Sequence, residues 1–238
     1  MGILYIVATP IGNLEDITLR AIRVLKEVDV ILCEDTRVTK RLLERHEIEI
    51  KSRKAPPSAG QRGRQLITYN EQRSGASIKK VIRLLEEGKD VALVSDAGTP
   101  IISDPGARLI QEVREIGAKI VAIPGANAAI AALSISGLPA SDFLFLGFLP
   151  HKKGRETLFK EIAASKRTVV FYESPHRILK TLQSLDKNLM ASRKIVIARE
   201  LTKIYEEVIS GNSKEVLDYF EKNPKKIKGE FVVMIEGV

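Results

Sequence analysis

The sequence predicts an α/β protein of two domains with a ligand cleft between them, and three observations lead to this fold class. Short β-branched runs alternate with longer segments of helical spacing, as repeated strand and helix units do. Several runs are apolar almost throughout, which indicates strands that helices cover on both faces of a largely parallel sheet. A candidate hinge at Pro124-Gly125 follows about half of the runs. We therefore expect domains over 1–120 and 121–238.

The apolar runs predict nine strands. They cover 3–8, 29–33, 66–69, 90–95, 119–123, 143–147, 167–172, 194–199 and 230–236.

Helix boundaries are predicted from capping residues and glycines. The spacing predicts a helix over 18–28 with one apolar stripe. Asp104-Pro105 and Ser174-Pro175 each place a capping side chain before a proline, so both are predicted helix starts. Gly88 and Gly117 are predicted helix ends.

Composition excludes several classes of protein. With 44% hydrophobic and 29% charged residues, the chain is too apolar for general disorder. One cysteine, Cys33, excludes an intrachain disulfide and a cysteine zinc cluster, and its apolar run indicates a core residue. The apolar first residues lack a basic leader and are too short to span a bilayer, so we expect a soluble cytoplasmic protein.

The charge balance favours a polyanionic partner. The formal net charge is +8, and Lys and Arg cluster within 51–73, 152–155, 166–167 and 222–228. Each cluster is compatible with a solvated surface or with phosphate contacts, and their number favours phosphate. The segment 51–64 is basic and lacks hydrophobic periodicity, which predicts a mobile loop.

Two loops that follow predicted strands are candidate ligand sites, because open α/β sheets bind ligands at strand ends. In the loop over 8–16, Pro10 and Gly12 permit a tight turn, and an ordinary turn explains them equally well. The loop over 94–106 contains two turns, more than a strand-to-helix connection needs. Its Asp96 and Thr99 offer polar side chains, and Gly98 allows close backbone approach.

In two further loops, either a structural role or a role in ligand binding or catalysis would explain the residues. The small residues over 124–133 would admit a flat ligand or let a helix pack tightly on a sheet. Glu173 and His176 would form an acid/base pair, although a histidine at a helix start is more often a capping or surface residue.

Familiar catalytic motifs are absent from the sequence. There is no G-x-G-x-x-G after the first strand, no phosphate-binding P-loop, no H-E-x-x-H and no G-x-S-x-G. Three scattered histidines make a metal site or a Ser-His-Asp hydrolase an unfavoured interpretation. We therefore expect no metal.

Seven strings, taken together, resemble a known family. These strings are VATPIGNLEDITLRA, ILCEDTR, ALVSDAGTPIISDPG, IPGANAAIAALSISGL, FLFLGFLP, FYESPHRI and ARELTKIYEE. They resemble the bacterial 16S ribosomal RNA cytidine 2′-O-methyltransferases of the tetrapyrrole methylase superfamily, over nearly the whole chain. The resemblance implies two α/β domains with S-adenosyl-L-methionine in the cleft, small-subunit 16S rRNA as partner, and a homodimer.

The resemblance also implies cofactor contacts from the loop 96–103, the turn 124–128 and three later strands. With the first loop, the predicted cofactor-binding residues are Pro10, Gly12, Asp96, Gly98, Thr99, Ile101, Ser103, Pro124, Gly125, Ala126, Tyr172, Ala198 and Glu230. One departure is Thr68-Tyr-Asn-Glu71, where similar proteins usually read Ser-Tyr-His-Glu. Because Asn70 replaces that histidine, no role of the histidine transfers.

Methyl transfer to an alcohol requires alignment of donor and acceptor and removal of one proton. Charged residues at strand ends are the predicted catalytic group: Glu34, Asp35, Arg37, Glu200 and Lys203. A carboxylate would accept the proton and Arg37 would hold a phosphate, or these residues would form structural ion pairs. A lysine next to the cationic sulfur of the donor would repel it, so Asp96 or a backbone carbonyl is the expected neighbour of the sulfur. Methylation of a small tetrapyrrole and non-catalytic RNA binding remain alternatives.

Overall fold

The chain divides into two compact units, Met1–Asn127 and Ala128–Val238. A computed structural model describes residues 1–50, 64–69 and 74–238. Each unit has its own five-stranded sheet, which confirms the α/β class. The boundary expected at 120/121 falls inside a strand that pairs with the first strand along its whole length, so the division comes after that strand. The cleft between the domains stays a prediction.

The first unit is a parallel sheet with strand order β3-β2-β4-β1-β5. Its strands are β1 (Ile3–Val7), β2 (Val30–Cys33), β3 (Gln65–Thr68), β4 (Val91–Val94) and β5 (Lys119–Ile123). Its helices are α1 (Leu19–Glu27), α2 (Thr36–Arg45), α3 (Ser74–Glu86) and α4 (Ala107–Glu115). All five carboxyl ends meet at one edge, where ligands of parallel sheets bind.

Helices cover both faces of this sheet, as the apolar runs predicted. Ile31 and Cys33 of β2 pack with α1 and α2 on one face, and Val30 and Leu32 pack with α3 and α4 on the other. Cys33 is fully buried, which confirms it as a core residue, and burial raises the pKa of its thiol to about 11.

The second unit has a mixed sheet with strand order β6-β7-β10-β8-β9. Its strands are β6 (Phe143–Phe148), β7 (Thr168–Glu173), β8 (Lys194–Arg199), β9 (Glu207–Asn212) and β10 (Phe231–Ile235). β6 and β7 are parallel, and the other three pairs are antiparallel. The expectation of a largely parallel sheet is wrong here, because the last strand inserts antiparallel between β7 and β8.

Helices lie on both faces of the second sheet as well. The remaining helices are α5 (Ala128–Ser136), α6 (Arg155–Ala164), α7 (Ile178–Asn188) and α8 (Ser213–Lys222). The three later helices share a core with the sheet, in which Phe159, Phe171, Phe220 and Phe231 are buried. The small residues of α5 pack on the opposite face against β7, β8 and β10.

All nine predicted strands are present with ends within one residue, and β9 is the strand that the sequence did not predict. β9 lies at the sheet edge, and its sequence Glu-Val-Ile-Ser-Gly-Asn lacks the continuous apolar run by which the other strands were predicted.

Two predicted helix starts are wrong. α4 begins after Gly106, whose φ of 136° turns the chain into the helix, and Asp104 does not cap it. α7 begins at Ile178, after a turn in which the Ser174 carbonyl accepts the Arg177 and Ile178 amide protons. The predicted ends at Gly88 and Gly117 are confirmed, with φ of 80° and 73°.

The helix predicted over 18–28 is confirmed as α1, with the Thr18 hydroxyl accepting the Ala21 N–H. Among the described residues, none of the helices is both long and apolar enough to cross a membrane. Residues 51–63 of the basic segment, and Asn70 and Glu71, lie outside the described residues.

Candidate functional site

Four loops at the carboxyl edge of the first sheet carry most of the predicted site residues. They follow β1, β2, β4 and β5. The structure places there Pro10, Gly12, Glu34, Asp35, Arg37, Asp96, Gly98, Thr99, Ile101, Ser103, Pro124, Gly125 and Ala126. The parallel topology therefore brings together residues that are far apart in the sequence.

Two buried hydroxyls fix the loop after β4 against the loop after β1. Thr9 and Gly98 exchange backbone hydrogen bonds of 2.9 and 3.0 Å. The Thr9 hydroxyl donates to the Ser95 carbonyl at 3.0 Å, and the Ser95 hydroxyl donates to the Gly98 carbonyl at 3.0 Å. Sequence reasoning missed both hydroxyls, because a serine or threonine in a turn carries no sign of what it binds.

The same loop is bonded to its other neighbours. The Thr99 hydroxyl donates to the Ala126 carbonyl at 3.1 Å, and the Asp35 N–H donates to Asp96 Oδ1 at 3.0 Å. The loops after β2, β4 and β5 are thus held in one arrangement. The Asp96 carboxylate therefore joins the loop after β2 to the loop after β4.

Backbone strain and close approach concentrate in these loops. Gly98 has φ of 84°, and a Cβ on Gly125 would lie 2.8 Å from the Ala8 Cβ. Ile101 and Ser103 are not glycines, yet their φ values are 77° and 66°. Such conformations cost about 1–3 kcal/mol each and are concentrated at functional sites. This strain supports a binding role for the loop 96–103.

Glu34 is the carboxylate whose environment is most unusual. Burial, with repulsion from Asp104 and Asp96, raises the pKa of Glu34 to about 7. Burial and the Asp96 charge also raise the pKa of Asp104. Within the described part of the chain, no Lys or Arg forms an ion pair with these three carboxylates. A group that exchanges a proton near neutral pH is suited to general base catalysis.

Asp35 has a different environment from its neighbour Glu34. It caps α2 by accepting the Arg37 N–H at 2.8 Å, and it holds the Arg37 guanidinium, with Nη2 2.6 Å from Oδ2. These bonds with Arg37 lower the pKa of Asp35 to about 2. Of the open alternatives for this pair, the structural ion pair is the one observed.

In the second unit, Tyr172 and Ala198 lie on one cross-strand row. Both are in register with Val232 of β10, on the sheet face that α5 covers. The Ala129 N–H donates to the Tyr172 hydroxyl at 3.3 Å, and the Phe145 and Phe148 rings lie 5.1 and 5.4 Å from the Tyr172 ring. Ala198 is buried, and its strand is paired on both sides, so the predicted ligand contact of Ala198 stays a prediction.

Glu200, Lys203 and Glu230 form a cluster where β8 ends and β10 begins. Lys203 Nζ donates at 2.9 Å to both Glu200 and Glu230. Burial opposes ionisation of Glu200, but bonds from Lys203 and the Glu230 N–H outweigh it and lower the pKa of Glu200. The prediction that Glu230 lies on a strand is wrong, because it precedes β10 by one residue and turns toward Lys203.

Glu173 is a structural residue rather than half of an acid/base pair. It is fully buried, with Arg177 Nε at 2.7 Å and Arg155 Nη2 at 3.8 Å. The Thr181 hydroxyl donates to it at 2.6 Å. His176 is exposed, as the surface interpretation predicted. Glu173 and Arg177 both lie in the motif FYESPHR, whereas no motif singles out Arg155 as a partner of Glu173.

The cofactor-site and catalytic predictions fall on both units. Thirteen of these residues lie in the first unit, and Tyr172, Ala198, Glu200, Lys203 and Glu230 lie in the second. Among the described residues, no group of three His, Cys, Asp or Glu side chains has the arrangement of a metal site.

Comparison of the structure with solved structures shows the fold. A cobalt precorrin-4 methyltransferase of cobalamin biosynthesis matches with a TM-score of 0.67 at 17% identity, over 98% of this chain and 94% of that one. The methyltransferase CobJ matches with a TM-score of 0.70 at 19% identity, over 100% and 95%.

Comparison of the sequence shows the family. The model of the Tetrapyrrole (Corrin/Porphyrin) Methylases matches residues 3–217. The protein of Thermotoga maritima named ribosomal RNA small subunit methyltransferase I is 44% identical, over 100% of this chain and 99% of its own length. Those of Bacillus subtilis and Escherichia coli O157:H7 are each 45% identical, over 100% and 99% of this chain and 76% and 78% of theirs. The chain with these strand-end loops therefore belongs to the tetrapyrrole methylase family and, within it, to the ribosomal RNA small subunit methyltransferase I group.

Proposed function

We propose that the chain transfers a methyl group from S-adenosyl-L-methionine to the 2′-hydroxyl of a cytidine in 16S rRNA of the small ribosomal subunit, as a cytoplasmic homodimer. Relatives 44–45% identical over nearly the whole chain are named ribosomal RNA small subunit methyltransferase I, which supports an rRNA acceptor. The structural observation that carries the proposal is Glu34, a carboxylate at a strand end with a pKa of about 7.

The first unit's loops suit a cationic methyl donor. S-adenosyl-L-methionine supplies a positively charged sulfonium whose methyl group is open to displacement. Asp96, Asp104 and Glu34 give the loops an excess of negative charge, which favours a cation. Both backbone groups of Gly98 are bonded to Thr9, so Gly98 fixes the shape of the loop, and the small Gly125 and Ala126 leave the neighbouring turn without bulky side chains. The backbone polar groups of 96–103 and 124–126 would hold the donor, and the family resemblance implies Tyr172, Ala198 and Glu230 as further contacts.

Glu34 is the proposed general base. The ribose hydroxyl is a weak nucleophile, so its proton must leave as the oxygen bonds to the methyl carbon and the carbon–sulfur bond breaks. The Glu34 carboxylate accepts this proton. A base with a pKa near the working pH combines a substantial ionised fraction with useful basicity. Asp35 and Glu200 are poorer bases, because cationic partners hold both in the ionised form.

The test is transfer of labelled methyl from S-adenosyl-L-methionine to small ribosomal subunits that lack ribose methylation, followed by nuclease mapping. Label at a cytidine ribose is the expected result. The matched control is Glu44→Gln, an exposed glutamate of α2 paired with Lys40, which should leave transfer unchanged, whereas Glu34→Gln should abolish most of it. Binding of the donor without label in RNA would overturn the rRNA proposal and favour a small tetrapyrrole acceptor.

A further inference from the structure

The exposed side of α2 carries a row of arginines. Arg37, Arg41 and Arg45 are spaced four residues apart, so they lie along one side of the helix, and all three are exposed. Like charges at this spacing destabilise an isolated helix. The row therefore costs stability that a bound anion would restore.

Three other exposed arginines of the first unit's helices have acidic partners one turn away, whereas Arg20 and Arg114 form no ion pair in the described part of the chain. Arg23 pairs with Glu27 at 3.0 Å, Arg83 with Glu87 at 3.1 Å and Arg108 with Glu112 at 2.9 Å. Arg41 and Arg45 have no carboxylate within 4 Å in the described ranges 1–50, 64–69 and 74–238.

The unbalanced charge is concentrated on one face of the sheet. The helices of that face, α1 and α2, contain seven Lys or Arg and two Glu. The helices of the opposite face, α3 and α4, contain five Lys or Arg and three Glu. A polyanion is therefore attracted more strongly to the face with α2.

The row begins at the candidate site. α2 starts directly after Glu34 and Asp35, and Asp35 both caps the helix and holds Arg37. From Arg37 to Arg45 the helix axis advances by roughly 12 Å, at about 1.5 Å per residue. This length admits contacts with more than one phosphate, and the planar guanidinium is suited to bidentate phosphate binding.

We propose that Arg37, Arg41 and Arg45 form a phosphate-binding surface along which the substrate RNA strand approaches Glu34. This inference rests on the proposed function and names the RNA contact that function requires. Ile50 and Arg64 form a bridge next to the amino ends of β2 and β3, at the sheet edge opposite Glu34.

The test compares two charge-matched double variants. Arg41→Gln/Arg45→Gln removes two charges from the row, and the control Arg108→Gln/Arg114→Gln removes two exposed arginines from α4. Affinity for small ribosomal subunits lacking ribose methylation is measured over a range of salt concentrations. Single-turnover methylation at saturating subunits and donor binding are measured in parallel, and thermal unfolding checks the fold. Arg37 stays unchanged because it pairs with Asp35, the cap of α2, so its removal would also disturb the start of the helix.

The row variant should bind subunits at least tenfold more weakly. Its log–log salt slope should be shallower by about 0.7–0.9 for each lost phosphate contact. Its donor affinity and its rate at saturating subunits should be unchanged, and the control should match the unmodified protein. Equal losses of subunit affinity in both variants, or no loss in either, would overturn the proposed phosphate-binding surface. The methyltransferase proposal would remain intact. Failure of the unmodified protein to label RNA would instead overturn the proposed function.

Discussion

Two glutamates that follow strands in the two units, Glu34 and Glu200, have opposite electrostatic environments. Glu34 faces Asp96 and Asp104 with no cationic partner among the described residues, and its pKa rises to about 7. Glu200 accepts a hydrogen bond from Lys203 and another from the Glu230 N–H, and its pKa falls. Both are glutamates at strand ends, so position along a strand does not distinguish a base from an ion-pair partner.

The comparison extends to Glu173, which is more deeply buried than Glu34 yet bound to two arginines and a threonine. Glu173 therefore differs from Glu34 in having cationic partners. What distinguishes Glu34 is burial combined with like charges, both of which favour the protonated form.

The largest expected effect is on catalysis. Glu34→Gln should lower the single-turnover methylation rate by about 10²–10⁴-fold, because general base catalysis contributes that much, while Glu200→Gln should lower it less than tenfold. The unmodified rate should rise with pH through about 7 as Glu34 ionises, and this rise should be absent from Glu34→Gln. Comparable losses in both variants would remove the distinction between the two glutamates.

The next effect is on the stability of the second unit. Glu173→Ala leaves Arg155 and Arg177 buried without their carboxylate, so the free energy of unfolding should fall by about 3–5 kcal/mol. Chemical denaturation measures this. Asp142→Ala breaks the exposed pair with Arg167 and should cost less than about 1 kcal/mol. Similar losses in the two variants would contradict a structural role for Glu173.

A smaller effect is expected at the cluster with Glu200. Lys203→Met leaves two glutamates near each other and should lower the free energy of unfolding by about 1–2 kcal/mol at pH 7. Because folding lowers the pKa of Glu200, the stabilisation is present above its usual pKa and is lost as the pH falls through the folded value. The difference from the unmodified protein should therefore shrink below about pH 4, where carboxylates protonate. A stability difference that does not change with pH would mean that Lys203→Met acts through packing and not through the charge of Glu200.

The smallest expected effect is a gain in the free energy of unfolding rather than a loss. Folding raises the pKa of Glu34, so the folded chain binds that proton more tightly, and its stability declines as the pH rises through about 7. Glu34→Gln removes this penalty and should stabilise the protein by about 1 kcal/mol at pH 8, after discounting for solvent screening, with no gain at pH 4. Denaturation midpoints at the two pH values measure it. A loss of stability at pH 8 would mean that the Glu34 carboxylate is stabilised by contacts.

Much of the site was predictable because its residues follow apolar runs. The loops with Asp96, Gly98 and Gly125 could be located from strand ends and turn residues, and parallel strands bring such loops to one edge. The bond from the Thr9 hydroxyl to the Ser95 carbonyl could not be predicted, because it joins loops that follow different strands. The role of Asp104 was predicted wrongly for the same reason: its local sequence resembles a helix cap, but its effect is on Glu34.

The sequence by itself determined where nine of the ten strands of the described residues form, where two helices end at Gly88 and Gly117, and which family the chain belongs to. These properties depend on residues within a few positions of each other: apolar runs, turn residues and short motifs. Only the tertiary structure decided that the second sheet is mixed, that β9 forms its edge, and that Glu34, unlike Glu200, has no counter-ion among the described residues. These depend on contacts between distant parts of the chain, and both strand pairing and the pKa of a carboxylate are set by such neighbours.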